Sequence, residues 1–147
     1  MSDLNKIKNY CARREVCISE AKKKLLSWGL DKNEISSFIT LLLKDKFIDE
    51  KRYAIAYVND HYKIKKWGRN KIKASLISKT IDSNVIEVAI KTIDETIYLE
   101  NITLIIRNKT DELEKKKSSS KAANRKKVIN HLLSKGYEFD LIISKLI

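Results

Sequence analysis

The residues of this chain most suited to a chemical role are its lysines and arginines. There are 31 of them and only 19 acidic residues, which gives a net charge of +12. A charge of that sign attracts nucleic acid, acidic protein surfaces or anionic membranes. The cations gather in three groups, and the stretches 63–73 and 115–127, which contain the second and third groups, have no acidic residue. These groups are Arg13 and Arg14; Lys63, Lys65, Lys66, Arg69, Lys71 and Lys73; and Lys115, Lys116, Lys117, Lys121, Arg125, Lys126 and Lys127.

Patterns for catalysis or metal binding are missing from the sequence. His61 and His131 have no set of partner residues, and Cys11 and Cys17 form neither a disulfide framework nor a metal-ligand set. The sequence also lacks a phosphate-binding glycine loop, a paired-carboxylate signature and a cysteine–histidine arrangement. We therefore expect no catalytic residue, no metal site and no cofactor, in a protein that is not an enzyme.

Three single residues have simple structural explanations. Cys11 falls on a predicted buried face, and both thiols are expected to stay reduced in a cytosolic protein. His61 lies on an apolar helical stripe and is interpreted as a satisfied core residue. Trp67 leaves two alternatives open, since it could stack on a nucleic-acid base or close the end of a hydrophobic core.

Three segments with one outline determine where the basic groups lie. Residues 27–35, 78–86 and 134–142 each end one helix and begin another. The apolar residues before and within them follow the spacing i, i+4, i+5, which is typical of one helix face. Five sets of aligned positions are apolar in all three copies. These sets are Ala21, Ile72 and Val128; Leu25, Leu76 and Leu132; Leu26, Ile77 and Leu133; Leu30, Ile81 and Tyr137; and Ile35, Ile86 and Ile142.

The break inside each segment has its own capping chemistry. Gly29 and Gly136 follow the last turn of a helix, where glycine tolerates the left-handed conformation that closes it. Thr80 stands at the same place in the middle copy and predicts a weaker or different cap. Asp31 and Asp82 can each accept from the free backbone N–H groups of the helix that follows, whereas Glu138 predicts a poorer cap in the third copy.

The helices group into repeats. A further helical stripe precedes each pair of helices, while the absence of proline and the presence of only three glycines argue against strands. We expect an all-α fold of three tandem three-helix repeats, helix-turn-helix-like, at residues 1–44 (with a short first helix), 45–93 and 94–147. Residues 115–121 predict a helix–helix connection inside the third repeat.

The basic groups fall at the junction between the first and second helix of each repeat. Stacked repeats would therefore present a recurring basic patch suited to a polyanion. The alternative is that the lysines only solvate helical faces.

The sequence predicts a soluble, cytoplasmic monomer that does not bind membranes. Residues 1–10 resemble neither a signal peptide nor a membrane anchor. No apolar run approaches the ~20 residues that a membrane-spanning helix requires.

Residues 46–82 carry the most specific motif of the sequence. The motif consists of Phe47, Ile48, Asp49, Glu50, Arg52, Tyr53, Ala54, Tyr57, Val58, Trp67, Gly68, Lys71, Ile72 and Leu76, joined in the first repeat by Arg13, Arg14, Ser19, Lys24, Leu25, Trp28, Gly29 and Leu30. With this motif and three repeats, the chain resembles the RecX family, bacterial regulators of the RecA recombinase. Lys46, Lys23 and Thr80 depart from the family pattern, away from the basic junctions.

The resemblance implies an elongated, curved array of repeats that binds in the groove of the filament formed by RecA on single-stranded DNA. It implies that the protein limits filament growth, ATP hydrolysis and strand exchange in recombination and DNA repair, although some relatives stimulate. The candidate RecA- and DNA-binding surface consists of Arg13, Arg14, Lys63, Lys65, Lys66, Trp67, Arg69, Lys71, Lys73, Arg125, Lys126 and Lys127. Two other hypotheses remain open, a stand-alone DNA-binding protein and a helical adaptor whose charge only maintains solubility.

Overall fold

A computed structural model describes residues 1–117 and 119–147, and every regular element in these residues is a helix. The expected all-α class is confirmed. The helices are α1 (Asp3–Arg13), α2 (Ile18–Ser27), α3 (Lys32–Lys44), α4 (Glu50–Lys63), α5 (Arg69–Ser78), α6 (Ser83–Ile90), α7 (Glu95–Lys116), α8 (Lys121–Ser134) and α9 (Phe139–Leu146). The predicted connection at 115–121 falls between α7 and α8, and its Ser118 lies outside the described residues. No described helix is long and apolar enough to cross a membrane.

The chain divides into two compact units. The N-terminal unit contains Met1–Tyr57 and Leu76–Ala89, and the C-terminal unit contains Val58–Ser75 and Ile90–Ile147. These divisions fall within α4, α5 and α6. The repeat boundaries expected from the sequence therefore remain a prediction.

The N-terminal unit is held together by the apolar faces of its helices. Its core includes Ile7, Cys11, Val16, Ala21, Leu25, Leu30, Ile35, Ile39, Leu42 and Ile48. Cys11 is buried, as the sequence predicted, and Cys17 is buried as well. Burial raises the pKa of each thiol, so both stay protonated at neutral pH and behave as small apolar side chains.

Tyrosines fill the centre of the C-terminal unit. Tyr62, Tyr98 and Tyr137 are among its largest fully buried side chains, and the ring centroids of Tyr98 and Tyr137 lie 5.3 Å apart. Each hydroxyl needs a partner when it is buried. The Tyr62 hydroxyl accepts from the backbone N–H of Asp94 at 3.3 Å, and the Tyr137 hydroxyl donates to the backbone carbonyl of Lys66 at 2.7 Å.

One aligned position differs from the expectation for a core. Leu26, Ile77 and Leu133 were grouped with the apolar face, yet they are 65%, 63% and 42% exposed. Successive residues of a helix point about 100° apart, so the position immediately after a fully buried leucine turns towards solvent. The true buried face contains the neighbouring Leu25, Leu76 and Leu132, all fully buried.

The helix ends largely follow the capping pattern. Gly29 and Gly136 have φ values of +84° and +93°, and Thr80 takes the same left-handed conformation with φ 58°. The left-handed conformation is sterically unfavourable for threonine and not for glycine, so the cap at Thr80 is less stable than the two glycine caps. Asp31 accepts from the backbone N–H of Glu34 at 2.9 Å, whereas the side chain of Glu138 makes no cap bond.

The Glu138 carboxylate binds an arginine and a tyrosine instead. It accepts from Arg69 Nη1 at 2.7 Å and from the Tyr98 hydroxyl. The Arg69 guanidinium lies 4.0 Å from the centre of the Tyr98 ring, and it also pairs with Glu95. Burial and the Glu138 hydrogen bond raise the pKa of Tyr98, so its hydroxyl remains a donor. This network joins the first residue of α5 to α7 and to the start of α9.

A contact between two backbones joins the α4–α5 and α8–α9 connections. The Gly68 N–H donates to the carbonyl of Lys135 at 2.7 Å, and the Asn70 N–H donates to the carbonyl of Gly136 at 2.9 Å. A Cβ atom added to Gly68 would lie 2.3 Å from the carbonyl carbon of Gly136. Because those neighbours are backbone atoms, a side chain at Gly68 has no room.

We expect Gly68→Ala to destabilise the protein more than Gly29→Ala. At Gly29 nothing lies within 4 Å of an added Cβ, so the cost is the left-handed strain of alanine, about 1–2 kcal/mol. At Gly68 the packed backbones must separate, which places the loss in the free energy of unfolding at or above ~3 kcal/mol. Urea denaturation followed by circular dichroism measures both losses. Equal losses would show that the two connections separate easily.

We expect Glu138→Ala to lower the free energy of unfolding by roughly 1.5–3 kcal/mol, because it removes hydrogen bonds that involve a partly buried charge. Glu100→Ala is the matched control, since Glu100 is exposed on α7. The same denaturation experiment, repeated for both variants, measures the difference. If the two variants unfold at the same urea concentration, the network does not stabilise the unit.

Candidate polyanion-binding surface

The first basic pair lies where α1 ends. Arg13 is the last residue of the helix and Arg14 is its C-cap residue, and both are exposed. Arg14 Nη2 donates to the Tyr10 hydroxyl at 3.0 Å, and this bond raises the pKa of Arg14. The guanidinium is therefore fixed beside an aromatic ring, 5.5 Å from its centre, and keeps its charge.

The second basic group surrounds the α4–α5 connection. Lys63 ends α4, Lys65 and Lys66 lie in the connection, and Lys71 and Lys73 lie on α5. Lys63, Lys65 and Lys71 are exposed, while Lys66 and Lys73 are half-buried. The Lys66 backbone is left-handed with φ 55°, which marks the sharp turn of the chain there.

Arg69 belongs to the same stretch but has a different environment. Its side chain is only 18% exposed, and two carboxylates, those of Glu95 and Glu138, already neutralise it. We therefore interpret Arg69 as a residue that stabilises the fold beside the basic surface. Its expected contact with a polyanion remains a prediction.

Trp67 packs against its neighbours. The residue is half-buried, and its ring lies 4.6 Å from the His61 ring between centroids. The Lys71 ammonium lies 4.3 Å from the centre of the Trp67 ring and the Lys65 ammonium 5.6 Å from it. Of the two alternatives for Trp67, this packing favours the structural one. His61 is half-buried and not part of the core, because its ring lies beside the half-buried Trp67 at the α4–α5 connection.

The third basic group lies on α8. Arg125, Lys126 and Lys127 are all exposed, and the Lys127 ammonium donates to Ser119 Oγ at 3.0 Å. Arg125 also lines an open cavity of about 660 Å³, together with Lys121 and Lys145. The third group is therefore available to a large anionic partner.

Lys135 is a functional candidate that the sequence did not indicate. It caps α8, and its ammonium donates to the backbone carbonyl of Lys65 at 3.4 Å. Burial lowers the pKa of Lys135, and the nearby charges of Lys71 and Lys66 lower it further. Lys135 reaches Lys65 only because the α4–α5 and α8–α9 connections are in close contact, and no local sequence pattern predicts that contact.

We name Lys65, Lys66, Lys71 and Lys135 the lysine cluster. Within residues 1–117 and 119–147, none of these four ammonium groups lies within ion-pair distance of a carboxylate. The cluster is thus a concentration of positive charge with no internal counter-charge. The same described residues contain no group of histidine, cysteine, aspartate and glutamate side chains that could hold a metal ion.

Comparison with known families identifies the middle of the chain. Residues 49–90, which contain α4, α5 and α6, match the model of the second three-helix domain of RecX. Among curated relatives, regulatory protein RecX of Clostridium botulinum (strain Alaska E43 / Type E3) is 36% identical over 124 residues, which are 84% of this chain and 57% of the relative. Regulatory protein RecX of Clostridium tetani is 32% identical over 140 residues, 95% of this chain and 61% of the relative.

Solved structures extend the similarity to almost the whole fold. The crystal structure of RecX from Lactobacillus salivarius has a TM-score of 0.83 and 25% identity, and the match covers 97% of this chain and 91% of that one. A second crystal structure of regulatory protein RecX has a TM-score of 0.87 at 18% identity, covers 97% of this chain and 68% of that one, and shows the fold alone.

The matched relatives are longer proteins. The chain spans about 57% of the length of the Clostridium botulinum protein and about 61% of the Clostridium tetani protein. Agreement between the domain model, the curated relatives and the solved folds nevertheless leads to one family. The chain belongs to the RecX family.

Proposed function

We propose that this chain is a regulatory protein that binds the RecA filament on single-stranded DNA and restrains its growth, ATP hydrolysis and strand exchange. The observation that carries the proposal is membership of a family whose curated members are named regulatory protein RecX. The proposal is supported by exposed basic residues at the C-terminal end of α1, around the α4–α5 connection and on α8, because a filament on DNA offers many anionic groups.

The chemistry of the surface suits regulation by binding. Lysine and arginine attract and position a polyanion without altering its covalent bonds. Five basic residues are exposed, and we propose them as contacts with the filament. Arg13 and Arg14 lie where α1 ends, and Arg125, Lys126 and Lys127 lie on α8. Such contacts would act by stabilising or blocking a filament state, which requires no catalytic group on this chain.

A stand-alone DNA-binding protein is the second candidate, and the lysine cluster favours it. Its four ammonium groups have no carboxylate partner in the part of the chain that the structure describes, so they could bind DNA by themselves. The two functions differ in the amount of protein they require. A filament regulator acts well below the amount that coats the DNA, whereas a competitor for bare DNA acts only near that amount.

We expect substoichiometric amounts of this protein to lower ATP hydrolysis by the cognate RecA assembled on single-stranded DNA. The reason is that a protein that blocks filament extension at one site affects all the subunits that would have been added beyond it. The rate of hydrolysis, measured at increasing ratios of this protein to RecA, tests the proposal. No change at any ratio would exclude it, and a change only at DNA-coating ratios would favour the second candidate.

For the double variant Lys126→Glu and Lys127→Glu, we expect that at least roughly tenfold more protein is needed for the same effect on hydrolysis. The reason is that the introduced glutamates repel an anionic partner. Both side chains are exposed on α8, so the helix should remain intact. The matched control is Lys32→Glu and Lys44→Glu, which makes the same charge change at exposed positions of α3. If the two double variants act equally, only net charge matters and the α8 surface is not a contact.

A further inference from the structure

We propose that the cavity between α7, α8 and α9 binds a small amphipathic anion, a molecule with an aliphatic chain and a phosphate or carboxylate head. The proposal goes beyond regulation of a filament, because it assigns a small ligand to a cavity of this chain. It holds or fails without reference to RecA or to DNA.

The cavity lies within the C-terminal unit, where α7, α8 and α9 pack against one another. Its volume is about 660 Å³. Small-molecule sites in proteins typically measure about 300–1,000 Å³. All three helices and the α7–α8 connection contribute side chains to the lining. A ligand of modest size would therefore contact several elements at once, and binding would hold them together.

The apolar part of the lining is aliphatic. Val128 of α8 is buried, and Ile106 of α7 and Leu146 of α9 are half-buried. None of the described residues that line the cavity is aromatic, so the cavity offers no ring on which a nucleic-acid base could stack. An alkyl chain suits such a lining, because its burial removes apolar surface from water and needs no specific partner.

Cations dominate the polar part of the lining. Lys117, Lys121, Arg125 and Lys145 are all exposed, and Glu114 is the single carboxylate among the described lining residues. Within residues 1–117 and 119–147, none of these four cations forms an ion pair. The cavity thus has an excess of positive charge that an anionic head group would complement.

The charges on α8 are arranged unfavourably for the helix itself. Lys121 and Arg125 are one turn apart and repel each other, and Lys121 lies in the first turn, where the helix dipole disfavours a cation. That turn contains no acidic residue. Ser120 accepts from the Ala123 N–H at 3.2 Å, but its uncharged hydroxyl does not compensate the cations. A bound anion would offset this repulsion, so the ligand should also stabilise the unit.

The donors that line the cavity indicate the kind of head group. The guanidinium of Arg125 presents paired N–H donors that match the oxygens of a carboxylate or a phosphate, and lysine ammonium groups provide further donors. Thr110 and Asn124 also line the cavity and can donate to additional oxygens. The ligand is therefore an alkyl chain that ends in an oxyanion.

The test is isothermal titration calorimetry of the full chain with decyl phosphate below its micelle-forming concentration, with no recombinase or DNA present. We expect one saturable site. Inorganic phosphate, which is the head without the chain, and decyl maltoside, which has the chain without a charge, should each bind at least roughly tenfold more weakly. Absence of saturable binding of decyl phosphate, or equally tight binding of inorganic phosphate, would overturn the proposal.

Variants locate the site. The double variant Lys121→Gln and Lys145→Gln should raise the Kd for decyl phosphate roughly tenfold or more, because it removes two of the cations around the head group. The matched control, Lys32→Gln and Lys44→Gln, removes the same charge from exposed positions of α3 and should keep the parent Kd. Thr110→Trp fills the cavity and should weaken binding with every cation in place.

Circular dichroism verifies the fold of each variant. Equal losses in the two double variants would contradict the proposal, because net charge alone would then explain the binding. Parent affinity in Thr110→Trp would contradict it too, since the chain would then lie outside the cavity.

Two further ligands separate the possible sources of the head group. AMP carries the same phosphate monoester on a nucleoside, and it should bind more weakly than decyl phosphate because the cavity lining is aliphatic. Vesicles of anionic phospholipid present alkyl chains and phosphate heads at a membrane surface, and they should not be needed for binding. Tighter binding of AMP, or binding to vesicles without binding to monomeric decyl phosphate, would overturn the proposal.

Discussion

The backbone contact between Gly68 and Gly136 is the constraint on which the C-terminal unit depends. A Cβ at Gly68 would come within 2.3 Å of the other connection, and one at Gly136 would come within 2.4 Å of Lys71. Two hydrogen bonds between the connections close the contact. The positions of Lys66 and Lys135, one on each connection, depend on this close approach of the two backbones.

The cations of this region divide into one that stabilises the fold and several that remain open. Arg69 is enclosed by the Tyr98 ring and two carboxylates, so its charge is compensated within the protein. The lysine cluster surrounds the same connection, and its ammonium groups have no carboxylate partner among the described residues. Since paired and unpaired cations alternate along a few residues, the net charge of this stretch overstates its attraction for a partner, and the individual environments decide it.

Local sequence patterns predicted the helices, but they did not predict the contacts between distant segments. The left-handed conformations of Gly29 and Gly136 at helix ends follow from short-range capping rules, and the buried faces follow from helical spacing. The pattern could not tell that Glu138 binds Arg69 instead of capping α9, or that Lys135 joins Lys65. Those pairs are about 70 residues apart, and only the packed unit brings them together.

The most direct measurement of the central claim, that the basic residues of the α4–α5 connection and of α8 face the polyanion, is lysine footprinting by mass spectrometry. The chain is labelled with an amine-reactive reagent, alone and bound to RecA on single-stranded DNA. The account predicts that Lys65, Lys66, Lys71, Lys126 and Lys127 lose reactivity in the complex, while Lys32 and Lys44 keep theirs. Protection of Lys32 and Lys44 with no protection of those five lysines would contradict it.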